Sequence, residues 1–170
     1  SHCILINSKI GKDTIIKSYS LLEQTEIGRE SFVGPYSRMR PGTRIGDKVQ
    51  IGTFVEIKDS TIASGCRINH LAFVGNSDLA ENVTLGASTI TCNHDGVGIN
   101  KLSIGEGAYI GSGCNLVAPL IIEANATVAS GSTITEEVPR GKLTVARSRQ
   151  VTVANWKGPK HRRDNREERE

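Results

Sequence analysis

The chain has 170 residues, of which 37% are hydrophobic and 4% aromatic, and its formal net charge is +3. This length is enough for one domain with a continuous core. The low aromatic content favours a narrow interior filled by aliphatic side chains. No apolar run approaches the roughly 18 residues of a membrane span, and the first residues lack the features of a signal peptide. We therefore expect a soluble protein.

A six-residue repeat runs through the chain. Between residues 27 and 58 an aliphatic residue or Met recurs at every sixth position, at Ile27, Val33, Met39, Ile45, Ile51 and Ile57. A period of six fits neither an isolated strand nor a helix. It is typical of a solenoid in which each repeat is a short strand and a turn, and three repeats make one triangular coil. The coils then stack as parallel sheets around the aliphatic side chains.

The register of this repeat extends in both directions. Upstream it runs through Ile4, Ile10, Ile16 and Leu22, and downstream, with one-residue losses, through Ile62, Ile68, Val74, Leu79 and Leu85. It is lost between residues 92 and 103 and then keeps step from Ile104 to Ile134. The pattern predicts an all-β repeat domain of about seven coils over residues 1–135, with a projecting loop at 92–103 and a C-terminal arm at 136–170. Because the repeat is already running at Ile4, we expect the natural chain to continue upstream.

The tail and the cysteines carry little specific signal. Residues 156–170 mix both charge signs, which favours a solvated, disordered end over a nucleic-acid-binding arm. The four cysteines lack zinc-ligand spacing. Cys66 and Cys114 occupy small-residue positions of their hexads, which predicts core packing and favours a reducing compartment, the cytoplasm.

Two basic residues interrupt the repeat on one face. Arg40 and Lys58 each follow an inward residue and are 18 residues apart in unbroken register, hence one coil apart on the same face. Two stacked like charges are unfavourable unless an anion lies beside them, so the pair suggests a phosphate site. The alternative is two solvated charges that Glu56 or Asp59 neutralises.

His70 and the loop are the other irregular features. His70 is expected at the outer edge of a coil, where the chain turns back onto the face of Arg40 and Lys58. An imidazole beside a phosphate site can act as a general base, whereas a lone His can equally be a surface or capping residue. The loop is rich in Gly and polar residues and is expected to line a binding cleft.

Several longer strings resemble one family. They are VGPYSRMRPG at 33–42, VEIK at 55–58, NHL at 69–71, GASTITCNHDG at 86–96, LVAP at 116–119 and WK at 156–157. In order, they resemble the C-terminal domain of the bacterial bifunctional N-acetylglucosamine-1-phosphate uridylyltransferase/glucosamine-1-phosphate acetyltransferases. The resemblance implies a left-handed parallel β-helix and a homotrimer with active sites between subunits. It also implies acetyl transfer from acetyl-CoA to the amine of glucosamine 1-phosphate, in synthesis of the cell-envelope precursor UDP-N-acetylglucosamine.

The resemblance also implies roles for individual residues. It makes His70 the general base, places Arg40 and Lys58 on the sugar phosphate, and implies no metal in this domain. Contacts to the acceptor fall on Phe73, Thr84 and Lys101. Contacts to acetyl-CoA fall on Ala87, Asn93, His94, Ser112, Ser130, Arg147 and Trp156.

Departures from the family pattern concentrate around the acceptor. Phe73 stands where the family has Tyr, Thr84 where it has Asn, and His94 where it has Tyr. The substrate-contacting Lys of the loop is replaced by Ile99 at equal spacing or shifted to Lys101. These differences imply a retained acyl-transfer core with an altered acceptor pocket.

Three hypotheses follow. The first is an acetyltransferase acting on glucosamine 1-phosphate. The second is an acetyl-CoA-dependent transferase with a different amino-sugar acceptor, and the third is a non-catalytic trimer-forming module. A carbonic anhydrase on the same fold needs three suitably spaced histidines, and His2, His70, His94 and His161 do not provide them.

Overall fold

The computed structural model describes residues 2–156, and these residues contain 23 short β-strands and no helix. The strands, numbered β1 to β23 in chain order, fall into three sheets in which all pairings between strands are parallel. From β1 to β22 consecutive strands lie on sheets A, B and C in turn, so three strands complete one coil. This architecture confirms the predicted parallel β-helix of six-residue repeats, while its left-handed sense stays a prediction.

The strand bounds are as follows. Sheet A holds β1 Ile4–Ile6, β4 Leu21–Glu23, β7 Arg38–Met39, β10 Glu56–Lys58, β13 Phe73–Gly75, β16 Ile90–Cys92, β19 Asn115–Val117 and β22 Thr133–Ile134. Sheet B holds β2 Lys9–Ile10, β5 Glu26–Ile27, β8 Arg44–Ile45, β11 Thr61–Ile62, β14 Ser77–Leu79, β17 Leu102–Ile104 and β20 Leu120–Ile122. Sheet C holds β3 Ile15–Ile16, β6 Phe32–Val33, β9 Gln50–Thr53, β12 Arg67–His70, β15 Thr84–Leu85, β18 Tyr109–Ile110, β21 Thr127–Val128 and β23 Leu143–Thr144.

The core is a column of aliphatic side chains at the predicted spacing. The six residues that define the repeat between 27 and 57 are 0 to 4% exposed. Ile57 pairs with Met39, 18 positions earlier, and with Val74, 17 positions later. A one-residue loss therefore shortens a coil and leaves the inward direction of its strands unchanged.

The prediction for the first coil was wrong by one residue. Leu5 pairs with Leu22, and Ile4 pairs with Leu21, so Leu5 and not Ile4 continues the inward column. Three consecutive aliphatic residues at 4–6 concealed the one-residue loss that lies before Ile10. Leu5 is nevertheless 47% exposed, because no coil covers it on one side within the described residues.

Two cysteines fill the core as predicted. Cys66 and Cys114 are 0% exposed, and the Cys66 thiol donates a hydrogen bond to the Ala80 carbonyl at 3.0 Å. Burial raises the pKa of Cys66 to about 11. Both residues therefore pack as small apolar groups in the core.

Sheet pairing continues beyond residue 135. Val138 is 0% exposed and forms a bridge with Ile122, and β23 pairs with β21. Sheet C thus has eight strands, where the hexads predicted about seven coils. The six-residue spacing ends at Ile134, so the sequence pattern could not reveal the last strand.

No helix among residues 2–156 has the length and apolar character required to span a membrane. The disordered tail expected within 156–170 lies outside the described residues, apart from Trp156.

Candidate active site

Arg40 and Lys58 lie on the same face of the β-helix, as predicted. Lys58 ends β10 and Arg40 directly follows β7 on sheet A, and the Arg40 amide donates to the Ile57 carbonyl at 2.9 Å. The two side chains therefore leave adjacent coils, whose backbones are about 4.8 Å apart. Both residues are partly buried.

The two cations differ in their pairing. Arg40 Nη1 lies 3.0 Å from Glu56 Oε1, and both side chains are about one-third exposed, at 33% and 35%. Glu56 therefore neutralises Arg40 locally, which is one of the alternatives that the sequence left open. Lys58 forms no ion pair among residues 2–156, so its ammonium is the cation on this face that is free for an anion.

A cavity of about 400 Å³ lies between sheet A and the loop. It brings together four residues predicted from the sequence, which are Lys58, Phe73, Asn93 and His94. Its wall also includes Ile90, Cys92 and Ile99. Asp59 lines the same cavity, which therefore presents one ammonium group and one carboxylate beside a largely apolar wall.

The loop between β16 and β17 is a compact antiparallel turn. His94 and Ile99 form an antiparallel bridge. Asp95 Oδ1 accepts hydrogen bonds from the amides of Val97 and Gly98 at 2.9 and 2.8 Å, and Asp95 Oδ2 accepts one from Asn100 Nδ2 at 2.9 Å. These bonds lower the pKa of Asp95 to about 2. The carboxylate thus stabilises the loop that carries His94 and Ile99 to the cavity.

Asn93 fixes the base of this loop. Asn93 is 8% exposed, and its Nδ2 donates hydrogen bonds to the carbonyls of Asn100 at 3.0 Å and Asn76 at 3.4 Å. Its Oδ1 is buried without a hydrogen-bond partner among the described residues. Asn93 therefore connects the loop to the neighbouring coil and also lines the cavity.

His70 lies at the corner where the chain passes from sheet C to sheet A. It ends β12, and β13 begins on sheet A three residues later, as the sequence predicted. His70 lines a second cavity, of about 420 Å³, together with Lys17, Phe32 and Gln50. A single chain therefore places His70 and Lys58 in two separate cavities.

His70 begins a row of residues stacked along this corner. Ser88 N bonds to His70 O at 3.1 Å, Gly113 N to Ala87 O at 2.7 Å, and Gly131 N to Ser112 O at 2.8 Å. This ladder aligns four sequence-predicted residues on successive coils, and they are His70, Ala87, Ser112 and Ser130. Arg147 extends the row, because its Nη1 donates to the Ser130 carbonyl at 2.6 Å. We call these five residues the corner row.

Three predicted site residues lie outside the two cavities and the corner row. Thr84 belongs to sheet C and lines neither of the two cavities described above. Lys101 Nζ bonds Asp78 Oδ2 at 2.6 Å, toward sheet B, whereas Ile99 faces the Lys58 cavity. Trp156 is 72% exposed at the end of the described residues.

Comparisons with known proteins agree with this architecture. Residues 101–136 match the family model described as the hexapeptide repeat of succinyl-transferase. The bifunctional protein GlmU of Nitrosomonas eutropha is 45% identical over 161 residues, 95% of this chain and 35% of that protein. GlmU of Cellvibrio japonicus is 48% identical over 155 residues, 91% of this chain and 34% of that protein. The chain is homologous to one region of GlmU.

The GlmU match is partial in length. The chain spans about a third of the GlmU relatives, 35% in the first case. A solved structure of PerB from Caulobacter crescentus, in complex with CoA and GDP-perosamine, matches with a TM-score of 0.54 at 20% identity, over 75% of this chain and 67% of that one. At that identity the likeness supports the fold alone.

Some residues around the Lys58 cavity were not singled out from the sequence. Asp95 organises the loop, and Thr91, at 2% exposure, accepts a hydrogen bond from Gly75 N at 2.8 Å behind the cavity wall. Thr91 follows Leu85 by six residues, so the hexad count itself could have found this inward position. Residues 2–156 contain no group of three or more His, Cys, Asp or Glu placed to hold a metal ion.

Proposed function

We propose that this chain transfers acetyl from acetyl-CoA to the amine of glucosamine 1-phosphate, a step in the synthesis of UDP-N-acetylglucosamine for the cell envelope. One observation carries the proposal, namely the corner row that aligns His70 with Ala87, Ser112 and Ser130. The homology to GlmU, a protein named as bifunctional, supports the same assignment.

The corner row suits an extended cosubstrate. Its small side chains at Ala87, Ser112 and Ser130 leave room for a chain-like group along the edge of the prism. Three strand spacings, about 14 Å, separate His70 from Ser130, and the Arg147 guanidinium lies beyond Ser130. We place the thioester of acetyl-CoA near His70 and its anionic nucleotide end near Arg147. The loop residues Asn93 and His94, and Trp156, are further proposed contacts.

His70 acts as the general base in this proposal. The sugar amine attacks the thioester carbon and must lose a proton as the new C–N bond forms. The imidazole of His70 accepts that proton and returns one to the departing sulfur of coenzyme A, so the enzyme forms no covalent intermediate. A hydroxyl or backbone amide of the corner row stabilises the negative charge on the thioester oxygen.

The acceptor phosphate is assigned to Lys58 and Arg40. Lys58 lacks a carboxylate partner among the described residues, and Arg40 shares its charge with Glu56. His70 and Lys58 line different cavities of one chain. We therefore propose that the chain works as a homotrimer in which facing subunits complete each acceptor site.

The proposed setting is the cytoplasm. The buried thiols of Cys66 and Cys114 serve as core residues, which favours a reducing compartment. The partners in this proposal are an amino-sugar phosphate, acetyl-CoA and two further copies of the chain.

Steady-state acetylation of glucosamine 1-phosphate tests the proposal. We expect His70→Ala to lower kcat by about 10²- to 10⁴-fold, because a general base contributes that much, with little change in KM for acetyl-CoA. His2→Ala is the matched control, because His2 stacks on Tyr19 at 5.3 Å, far along the chain from the corner row. Full activity of His70→Ala would contradict the assigned role. A wild type that binds neither coenzyme A nor glucosamine 1-phosphate would favour the non-catalytic trimer-forming module.

A different amino-sugar acceptor is a second candidate, favoured by the apolar wall of the Lys58 cavity. Phe73, Ile90 and Ile99 face this cavity without a hydrogen-bonding side-chain group. Such a wall suits an acceptor with fewer hydroxyl groups than glucosamine.

Phe73→Tyr discriminates between the two acceptors. If glucosamine 1-phosphate is the acceptor, the added hydroxyl is expected to raise kcat/KM by about 10-fold through a charge-assisted hydrogen bond. Phe54→Tyr, in the exposed aromatic stack with Tyr36, is the control. A wild type that binds coenzyme A but leaves this acceptor unmodified, with or without Phe73→Tyr, would favour the second candidate.

A further inference from the structure

The outward row of sheet C differs in charge from the rows on the other sheets. Pairing from strand to strand aligns eight residues across this sheet. They are Ile15, Phe32, Gln50, Arg67, Thr84, Tyr109, Thr127 and Leu143. All eight lie in the described part of the chain, and Arg67 is the only charged residue in the row. Within this row the exposed Arg67 cation therefore lies among apolar or uncharged side chains. The nearby cation Lys17 lies over the Phe32 ring, with Nζ 4.5 Å from the ring centroid.

Arg67 is also without a counter-charge. No carboxylate among residues 2–156 lies within 4.0 Å of its guanidinium. The equivalent row on sheet B mixes Lys9, Glu26, Arg44 and Asp78, and Lys9 pairs with Glu26 at 3.0 Å. An unpaired arginine with five hydrogen-bond donors is well suited to bind a phosphate group.

The position of Arg67 connects it with the acceptor. Arg67 pairs directly with Thr84, so their Cα atoms are about 4.8 Å apart across the sheet. Thr84 is one of the positions at which the family resemblance implies a contact to the acceptor. A long, flexible side chain at Arg67 can therefore reach a ligand that contacts Thr84.

The sheet on which Arg67 lies also determines whether Arg67 and Lys58 of one acceptor site come from the same subunit. Lys58 and Phe73 lie on sheet A, whereas Arg67 and Thr84 lie on sheet C. The outward faces of two sheets of a three-sided prism point away from each other. A small acceptor that contacts both faces must therefore lie between two copies of the chain.

We propose that Arg67 binds the phosphate of the acceptor, at a site where a neighbouring subunit supplies Lys58. This assignment rests on the proposed function and adds a third cation to the phosphate site, contributed in trans. Glu56 pairs with Arg40 and neutralises part of its charge. Arg67 adds positive charge to the phosphate site that no carboxylate among residues 2–156 neutralises.

Arg67→Gln provides the first test. We expect KM for glucosamine 1-phosphate to rise by about 10- to 100-fold, as for a lost charge-assisted hydrogen bond, while KM for acetyl-CoA and the trimer mass stay unchanged. Arg44→Gln, at the equivalent outward position of sheet B, is the control and should leave KM unchanged. A KM effect that appears only together with dissociation of the trimer would make Arg67 an interface residue and overturn the proposal.

Subunit mixing tests the placement in trans. Lys58→Gln and Arg67→Gln chains are co-expressed with different tags, and mixed trimers are verified by native mass spectrometry. Random mixing leaves about one quarter of the sites with both residues intact if they come from different subunits, so activity should return to that level. No recovery in verified mixed trimers would overturn the placement.

The role of Arg67 and the proposed function can be overturned by different results. A wild type that acetylates glucosamine 1-phosphate, with Arg67→Gln unaffected, overturns the role of Arg67 alone. A wild type without any acetylation of that acceptor overturns the proposed function and, with it, the role of Arg67.

Discussion

Charge pairing decides how strongly sheet A attracts an anion. Arg40 and Lys58 have the same spacing in the repeat and the same outward direction, yet within residues 2–156 only Arg40 has a carboxylate partner, Glu56 at 3.0 Å. Such a partly exposed pair contributes little to stability, about 0 to 1 kcal/mol. Its larger effect is on the local potential, because the carboxylate cancels part of the positive charge available to a phosphate.

Glu56→Gln should therefore improve binding of a phosphorylated acceptor. We expect KM for glucosamine 1-phosphate to fall by about two- to fivefold at low salt, and the gain to shrink as salt screens the charges. Glu23→Gln is the matched control, because Glu23 pairs with Arg38 at 3.8 Å on the same sheet. A rise in KM for Glu56→Gln would instead mean that Glu56 holds Arg40 in its binding geometry.

Among the elements, the loop at 93–101 differs most from a simple coil. The sequence predicted a projecting segment, and the structure gives a tight turn held by Asp95. Gly96 has a φ of 97° in this turn, a conformation that favours glycine. The turn brings Ile99 to the cavity and leaves Lys101 with Asp78. The loop thus places the apolar side chain of Ile99 at the cavity and holds the ammonium group of Lys101 away from it.

The pH dependence of this loop follows from Asp95. Its folded pKa is about 2, below the ordinary value of about 3.9. The stabilisation by the carboxylate is therefore fully present above about pH 4. It is lost as the pH falls toward 2. A ¹³C NMR titration of the Asp95 carboxyl group should give this low value, and an apparent pKa near 3.9 would show that the turn does not hold in solution.

Asp95→Ala tests the same turn through ligand binding. Without the three hydrogen bonds the loop should lose its fixed shape, and KM for acetyl-CoA should rise while the melting temperature of the β-helix changes little. Glu106→Ala replaces an exposed carboxylate outside the loop and serves as the control. An unchanged KM for Asp95→Ala would separate the loop from cosubstrate binding.

The sequence predicted the coils well because one strong force sets them. Each inward aliphatic side chain must be buried, and a slip of one residue would expose the whole strand, so Ile27 to Ile57 could be located by counting alone. Side-chain pairing is a weaker effect. Arg40 with Glu56 and Lys101 with Asp78 depend on rotamers across neighbouring coils, which spacing does not specify. The last strand, Leu143–Thr144, escaped prediction because its segment has no six-residue period.

For the whole molecule, stability is distributed along a stack of coils. Each coil contacts mainly the coils directly before and after it, so an inner coil is covered on both sides and a terminal coil on one. Ile57 is 0% exposed, whereas Leu5, at the equivalent inward position of the first coil, is 47% exposed. The same type of truncation should therefore have very different effects at the two positions.

Ile57→Ala and Leu5→Ala measure this difference directly. Ile57→Ala removes buried methyl groups and leaves a cavity between two coils, so the free energy of unfolding should fall by about 2–5 kcal/mol. Leu5→Ala removes a half-exposed side chain and should lower it by about 1 kcal/mol. Urea unfolding followed by circular dichroism gives both values, and Ile15→Ala, an exposed outward residue of the first coil, is the control. Equal losses at positions 5 and 57 would contradict a stability that depends on neighbouring coils, because both substitutions shorten an inward aliphatic side chain.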